Sequence, residues 1–309
     1  MLRHKDLLGL KDCTAEEIYE ILDNAAQMKK LLNSDCKSSD MLRGKALVTL
    51  FYENSTRTRS SFELAAKYLG ASEVNISVAT SSVQKGETLI DTGETLDAMN
   101  VDFIVIRHPM AGAPKLLAEH VRASVLNGGD GMHEHPTQAL LDMMTIREAF
   151  GKIEGLKIAI LGDIKHSRVA MSNLFGLTKL GAKVSMFAPK TMIPRAIEKL
   201  GAHIAVSREE ALEGADAVMG LRIQLERQNG GLFPSLSEYA KYYGVNDGVL
   251  KYAKSNAIVL HPGPVNRGVE LSPQVIDGER SLILEQVKNG VAVRMALLKL
   301  LNEYREAHV

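Results

Sequence analysis

The chain has 309 residues, more than one hydrophobic core usually serves, so two domains are expected. Its 37 basic residues balance its 37 acidic residues, which argues against a surface that as a whole binds nucleic acid or an anionic membrane. The two cysteines, Cys13 and Cys36, belong to no CxxC or Cys/His cluster, and no signal core or membrane-spanning run stands out. We therefore expect a cytoplasmic protein without disulfides or structural zinc.

Short apolar, β-branched runs alternate with amphipathic patterns along the whole chain. Strands are predicted at Ala46–Phe51, Phe103–Ile106, Ser124–Leu126, Lys157–Leu161, Val184–Phe187, Ala217–Met219 and Ala257–Leu260. Helices are predicted at Ala15–Leu32, Ser60–Leu69, Thr137–Phe150, Val169–Leu180, Arg195–Leu200 and Gln286–Ala307. Strands that alternate with helices of this length indicate βαβ units, and therefore α/β domains with parallel sheets.

The predicted helix Thr137–Phe150 precedes a new βαβ series that opens at Lys157. We therefore predict a first domain over residues 1–135, completed by a C-terminal helix over 286–309, and a second domain over 136–285. Two open parallel-sheet α/β domains of this kind would place the active site in the crevice between them, at the carboxyl ends of the strands.

The densest polar cluster is Ser55-Thr56-Arg57-Thr58-Arg59, which follows a predicted strand and opens a helix. The first turn of a helix is positively polarised and disfavours cations, unless an anion lies among them. A helix start, hydroxyl groups and arginine together suit a phosphate group. The alternative is a solvated helix start with Ser55 as a plain N-cap. Arg59 could instead pair with Glu63, one turn further along the helix.

Further cations follow predicted strands or lie in loops, namely Lys85, Arg107, Arg168 and Arg222. Each alone could be a surface residue, but in this fold class such positions point into the crevice. Together with Arg57 they concentrate positive charge there and predict small polyanionic ligands. No carboxylate pair, activated serine or Cys/His dyad stands out, so the chemistry should depend mainly on positioning and charge stabilisation.

The segment Gly128–Gln138 brings two histidines to the start of a helix. Pro136 suits the first helical turn, which makes His135 the predicted N-cap. There the helix dipole favours a neutral imidazole that could polarise a carbonyl oxygen. A metal site on His133 and His135 is the alternative, although the spacing is not that of a helical zinc motif and no third ligand is evident.

Two turns after predicted strands have open interpretations. Gly162–Arg168 lies where a dinucleotide turn would lie, but the second and third glycines of GxGxxG are absent, so a nicotinamide cofactor is not expected. His261-Pro262-Gly263-Pro264 could offer backbone carbonyls to an amide or be a simple turn. The irregular, tyrosine-rich stretch from Gln228 to Tyr243 is interpreted as a mobile lid or a surface insertion.

Seven polar motifs follow one another along the chain. They are, in order, Ser-Thr-Arg-Thr-Arg, Ser-x-x-x-Lys-Gly-Glu, Arg-His-Pro, His-Pro-Thr-Gln, Gly-Asp-x-x-x-x-Arg, Arg-x-Gln-x-Glu-Arg and His-Pro-Gly-Pro. In this order the chain resembles the carbamoyltransferases over essentially its whole length, and most closely the catalytic chains of aspartate carbamoyltransferases. The resemblance implies transfer of the carbamoyl group of carbamoyl phosphate to L-aspartate, in de novo pyrimidine (UMP) biosynthesis. It implies neither a metal nor a cofactor.

The resemblance also implies roles for individual residues. Carbamoyl phosphate would be bound by Ser55, Thr56, Arg57, Thr58, Ser81, Arg107, His135, Gln138, Pro262 and Gly263. L-Aspartate would be bound by Lys85, Arg168, Arg222 and Gln224. The catalytic residues would be Arg57, Thr58, Lys85, Arg107 and His135. Some members have Leu at the position of Gly263, but function should survive because a backbone carbonyl acts there.

The resemblance implies a homotrimer in which Ser81 and Lys85 reach into a neighbouring subunit's active site, and a regulatory chain or a dihydroorotase is a possible partner. Ornithine carbamoyltransferases share the phosphate-binding half, but they carry a His-Cys-Leu-Pro turn and a Ser-Met-Gly segment that this sequence lacks. Arg168 and Arg222 suit a dicarboxylate rather than ornithine. A non-catalytic scaffold subunit is the remaining alternative, and it predicts damaged motifs, whereas every motif position is occupied.

Overall fold

The computed structural model describes residues 2–77, 86–224 and 235–308. The chain divides into two compact units, the first made of Met1–Leu141 with Val287–Val309, and the second of Asp142–Gln286. The predicted boundary between the two domains, at residue 136, lies slightly earlier in the chain. Ser81, Lys85 and the first part of the predicted lid lie outside the described residues.

The first unit is a series of parallel βαβ units. Its elements are α1 (Ala15–Leu32), β1 (Ala46–Phe51), α2 (Thr56–Tyr68), β2 (Ser72–Ser77), α3 (Leu89–Ala98), β3 (Phe103–His108), α4 (Ala113–Ala118), β4 (Ser124–Asp130) and the beginning of α5 (Pro136–Phe150). Among the described residues the strands form a parallel sheet in the order β2-β1-β3-β4. Leu7 bonds to the backbone of Val125 and Asn127 and so extends the sheet beyond β4.

The second unit has a second parallel sheet. Its elements are the end of α5, then β5 (Lys157–Gly162), α6 (Arg168–Lys179), β6 (Lys183–Phe187), β7 (Ala202–Ile204), α7 (Arg208–Leu212), β8 (Ala217–Leu221), α8 (Leu236–Tyr243), α9 (Asp247–Leu250), β9 (Ile258–Leu260), α10 (Pro273–Asp277) and the start of α11 (Ile283–His308). Over the described ranges the strand order is β7-β6-β5-β8-β9. The two parallel sheets confirm the predicted fold class.

The C-terminal helix α11 belongs to the first unit from Val287 onward. Its Arg294 is buried, lies 5.0 Å from the centre of the Phe62 ring and donates to the Thr137 hydroxyl at 3.3 Å. A guanidinium over an aromatic face is an electrostatically favourable contact. Arg294 therefore joins α11 to both α2 and α5. None of the helices in the described ranges combines the length and apolar character that a membrane span requires.

Several predicted elements are confirmed at both ends, among them α1 and β1. The predicted helix Arg195–Leu200 is wrong: Ala196 has a left-handed backbone (φ 60°), and only a 3₁₀ turn over Ile197–Leu200 follows it. The strands β2 and β7 were not predicted. Both lie at a sheet edge and pair on one side only, so they tolerate polar residues and lack a continuous apolar run.

Gly162 ends β5 in a conformation that favours glycine, with φ 131°. It pairs in register with Leu221 at the end of β8, and a Cβ atom at Gly162 would contact the Leu221 backbone oxygen. The lone glycine of this turn is therefore explained by the close approach of two strands. No dinucleotide is needed to account for it.

Replacing Gly162 with alanine should destabilise the protein more than the same change at Gly155. Gly155 also has positive φ (76°), but a Cβ atom there meets nothing within 4 Å. Gly155→Ala should cost about 1 kcal/mol from backbone strain alone, whereas Gly162→Ala adds a clash with backbone that cannot move aside. Thermal and urea unfolding of the two variants measures this difference. Equal effects would contradict the explanation of Gly162.

Candidate active site

The start of α2 lacks an ordinary cap. Ser55 occupies the N-cap position with an extended backbone, but within the described residues its side chain makes no capping hydrogen bond. By contrast, Thr14, Thr88 and Ser167 cap their helices through their hydroxyl groups. The first turn of α2 also contains no acidic residue. Because first-turn N–H groups have no partner inside a helix, this end is suited to an anion.

The Ser55 hydroxyl instead faces Arg107, at the carboxyl end of the neighbouring strand β3. Arg107 Nη1 donates to Ser55 Oγ at 3.0 Å, and its Nε donates to Glu53 Oε2 at 3.2 Å. The register places Phe51 beside Arg107, which brings the end of β3 next to the segment that leads into α2. Glu53 thus fixes the guanidinium group at the helix start, and Ser55 occupies the N-cap position without capping the helix through its side chain.

His135 lies directly before α5, and its carbonyl accepts from the N–H of Gln138 at 3.0 Å, as expected for an N-cap residue. Its Nε2 is 3.5 Å from the Thr58 hydroxyl, and both side chains are buried. Gln138 is also buried in the first turn of α5, whereas Thr56 and Arg57 are exposed. A hydroxyl and an imidazole are therefore paired beside the start of α2.

Arg59 is the member of the cluster that turns away from this site. Its Nε is 3.6 Å from Glu63 Oε1, four residues later in the same helix. This confirms the predicted alternative of an intrahelical pair for Arg59. The predicted anion-binding segment therefore narrows to Ser55–Thr58.

In the second unit, the predicted aspartate-binding residues follow neighbouring strands. Arg168 is buried in the first turn of α6, which follows β5, and Arg222 and Gln224 follow the adjacent strand β8. Buried Asp163 connects the two loops. Its Oδ1 accepts from His166 Nδ1 at 2.8 Å, and its Oδ2 accepts from the Gln224 N–H at 3.4 Å.

The His261-Pro262-Gly263-Pro264 turn follows β9, next to β8 in the sheet. His261 Nδ1 accepts from the Gly263 N–H at 2.8 Å. Its Nε2 must therefore be the donor in the 3.1 Å contact with Glu270 Oε1. This histidine therefore fixes the turn at Gly263; the resemblance implies that the carbonyls of Pro262 and Gly263 bind ligand.

Hydrogen bonds among buried side chains also hold this turn in place. Gln286 Oε1 accepts from the His261 N–H at 2.9 Å, and Gln286 Nε2 donates to Asp142 Oδ1 at 2.7 Å. The other oxygen of Asp142 accepts from Asn173 Nδ2 on α6 at 2.8 Å. One buried carboxylate thus braces both the turn and the helix that begins with Arg168.

Two protein-family comparisons cover nearly the whole chain. Residues 5–148 match the aspartate/ornithine carbamoyltransferase carbamoyl-P binding domain, and residues 154–301 match the aspartate/ornithine carbamoyltransferase Asp/Orn binding domain. The chain belongs to the aspartate/ornithine carbamoyltransferase family. The resemblance seen in the sequence motifs is thereby confirmed.

Individual carbamoyltransferases resemble the chain closely. The aspartate carbamoyltransferase catalytic subunit of Ruminiclostridium cellulolyticum is 64% identical over 300 residues, or 97% of this chain and 96% of the relative. Aspartate transcarbamoylase from Trypanosoma cruzi, solved with carbamoyl aspartate and phosphate, has a TM-score of 0.85 and 32% identity, with 95% of each chain covered. Ornithine carbamoyltransferase from Pyrococcus furiosus reaches the same TM-score, identity and coverage.

The sequence analysis assigned no role to several residues that hold the candidate site residues in place, namely Glu53, Asp142, Asp163 and Gln286. Asp163 carried a usable signal, because a carboxylate directly after a buried strand lies at the strand's carboxyl end. Glu53 likewise lies between a strand and the arginine-rich helix start. Asp142 and Gln286 are separated by 144 positions along the chain, so no local pattern connects them.

His133 is paired with Asp130 rather than with a metal. In the described part of the chain, no group of three or more His, Cys, Asp or Glu side chains is arranged to hold a metal ion. His133 Nδ1 lies 3.0 Å from Asp130 Oδ2, and this hydrogen bond raises the pKa of His133 above its ordinary value. Burial alone would raise the pKa of Asp130, but hydrogen bonds from His133 and other groups outweigh it and lower that pKa.

The two shifts define a pH window for this pair. Protonated His133 stabilises the folded state. This contribution is fully present below the pKa of His133 in the unfolded chain, near 6.5, and is lost as the pH rises through its higher pKa in the folded protein. Stabilisation through Asp130 is lost as the pH falls through its lowered folded pKa. We predict that an NMR titration places the His133 midpoint above 6.5, and that Asp130→Asn lowers it. A midpoint unchanged by Asp130→Asn would contradict the assigned cause.

Proposed function

We propose that this chain transfers the carbamoyl group of carbamoyl phosphate to the amine of L-aspartate, giving N-carbamoyl-L-aspartate and phosphate. This reaction belongs to de novo pyrimidine (UMP) biosynthesis. The proposal rests mainly on the start of α2, which has no side-chain cap and where Arg107 is hydrogen-bonded to Ser55 and His135 faces Thr58. The similar aspartate carbamoyltransferases and the carbamoyl aspartate complex support the same reaction.

Carbamoyl phosphate would bind first, with its phosphate on the backbone N–H groups and hydroxyls of Ser55–Thr58 and on Arg57. Arg107, Thr58 and His135 would donate to the carbamoyl oxygen, while Gln138 contacts the amide. These donors withdraw electron density from the carbonyl carbon and would stabilise the oxyanion that forms on it. The Arg107–Ser55 hydrogen bond and the approach of His135 to Thr58 support this assignment, because they bring the donors together before the ligand arrives.

The amine of L-aspartate would then attack the carbonyl carbon. A C–N bond forms, the C–O bond to phosphate breaks, and the departing phosphate takes the amine proton, so that no protein base is required. Arg168, Arg222 and Gln224 would bind the two carboxylates, with Lys85 contributing from its loop. The carbonyls of Pro262 and Gly263 would accept from the carbamoyl NH₂ group. Rate enhancement would come from positioning and charge stabilisation, without metal or cofactor.

Aspartate is favoured over ornithine as the acceptor by charge. Fold similarity does not separate the two, because solved aspartate and ornithine enzymes match the chain equally well. However, buried Arg168 follows β5 and Arg222 follows the adjacent β8, and two guanidinium groups suit two carboxylates rather than an ammonium group. The 64% identity to an aspartate carbamoyltransferase catalytic subunit points the same way.

The assembly we propose is a cytoplasmic homotrimer whose active sites are shared between chains. Ser81 and Lys85 would then act in a neighbouring subunit's site. The strand β2 lies at the edge of its sheet, immediately before the segment that carries them, and exposes Val74. An exposed strand edge with an apolar side chain is a common place for association. A regulatory chain or a dihydroorotase would be a further partner.

Arg57→Ala should reduce turnover of carbamoyl phosphate with aspartate by about 100-fold or more, because a charge-stabilising donor at the reacting group is lost. The matched control is Arg59→Ala, two residues along the same helix, whose side chain is committed to Glu63. The turnover of Arg59→Ala should stay close to that of the wild-type chain. Assays with aspartate and ornithine in parallel complete the test. Wild-type turnover of ornithine alone, or equal activity of the two variants, would contradict the proposal.

Shared active sites predict complementation between inactive variants. Arg57→Ala and Lys85→Ala homotrimers should each be nearly inactive, but subunit exchange after mild dissociation should restore part of the activity. Some mixed trimers would combine an intact Arg57 from one chain with an intact Lys85 from another. Sedimentation of the wild-type chain should show a trimer. Absence of recovery in a verified mixed trimer would contradict shared sites.

A further inference from the structure

Glu134 lies between His133 and His135 in the sequence, in the loop from β4 to α5. It is buried, with only 1% of the residue exposed. Its Oε2 accepts from the N–H of Leu10 at 2.7 Å, and its Oε1 accepts from the N–H of Lys11 at 3.2 Å. A carboxylate beside a site for anionic substrates repels them unless it is turned elsewhere. Here it is turned toward the backbone of the N-terminal segment.

This segment, Leu7–Lys11, is shaped around the Glu134 side chain, and we name it the N-terminal strap. Its Leu7 is held on β4 by hydrogen bonds with Val125 and Asn127, each 2.9 Å. A Cβ atom at Gly9 would contact Glu134 Oε1 and lie 2.7 Å from its carboxyl carbon. The strap therefore has room for the carboxylate only because residue 9 is glycine.

The backbone of Glu134 is fixed from the opposite side. Its N–H donates to Asp130 Oδ1 at 3.0 Å, and its carbonyl accepts from the Asp130 N–H at 3.1 Å. Asn127 Nδ2 connects this loop to the strap, since it donates to Asp130 Oδ1 and to the Leu8 carbonyl, both at 2.8 Å. The residue that immediately precedes His135 is thus fixed through both its side chain and its backbone.

We propose that Glu134 is a positioning residue, which the N-terminal strap holds so that His135 is placed against Thr58. The inference rests on the proposed function and deepens it. His135 Nε2 and the Thr58 hydroxyl are 3.5 Å apart, at the outer limit of a hydrogen bond, so a small shift of the loop separates them. Displacing a reacting or donating group by about 1 Å can lower a rate by about 100-fold.

Two variants test this role. Glu134→Gln keeps the shape but turns an NH₂ group toward a backbone N–H of the strap, so at least one buried hydrogen bond is lost. Gly9→Ala leaves Glu134 in the sequence but pushes its carboxylate out of place. Each should lower kcat about 10- to 100-fold with a much smaller change in KM for aspartate. The double variant should be no worse than the poorer single variant, because both act on one contact.

Glu17→Gln is the matched control. Glu17 is also a buried carboxylate of the first unit that accepts backbone N–H groups, from Arg3 at 3.0 Å and from Thr14 at 2.9 Å. It serves the cap of α1 and not the His135 loop. Glu17→Gln should lower the melting temperature and leave kcat close to wild type. As a second readout, the His135 ring resonances in NMR spectra should shift in the Glu134 and Gly9 variants but not in the control.

The outcomes separate the inference from the proposed function. A wild-type chain without carbamoyl transfer to aspartate would overturn the proposed function, while the His135 resonances would still test the strap. Wild-type activity, together with kcat values for folded Glu134→Gln and Gly9→Ala within about twofold of wild type, would overturn the inference. If Glu134→Gln does not fold, Gly9→Ala decides, because it retains the buried carboxylate.

Discussion

The structure depends on one electrostatic constraint, the positive and uncapped start of α2. A βαβ unit places the carboxyl end of a strand beside the amino end of the following helix, where first-turn N–H groups lack helical partners. Most helices meet this need with a Ser, Thr or Asn cap. Here the cap residue Ser55 is bonded to Arg107, and Arg57 adds a further positive charge. This arrangement suits an anionic ligand.

Carboxylates orient polar groups within each of the two units without themselves being suited to bind anionic substrates. Glu53 orients Arg107, Glu134 is turned into the N-terminal strap, and Asp163 joins the loops after β5 and β8. Asp142 braces the turn after β9 through Gln286. Because each carboxylate accepts hydrogen bonds, its charge is stabilised locally while the donor group is held in a fixed orientation.

The sequence was sufficient to predict the fold class and the family. Apolar runs and amphipathic patterns predicted both ends of α1 and β1, because the burial of these elements leaves strong local patterns. The edge strands β2 and β7 were not predicted, because a strand that pairs on one side only does not require apolar residues. The contacts of Asp142 and Glu134 were not predicted either, because they join segments more than a hundred positions apart in the sequence.

We propose above that the start of α2 binds the phosphate group of the substrate. A crystal structure with a phosphonate analogue that joins both substrates in one molecule tests this binding most directly. We predict phosphonate oxygens about 2.7–3.1 Å from backbone N–H groups of Ser55–Thr58 and from the Arg57 guanidinium, with the carboxylates at Arg168 and Arg222. A bound analogue whose phosphonate lies away from α2 would contradict it.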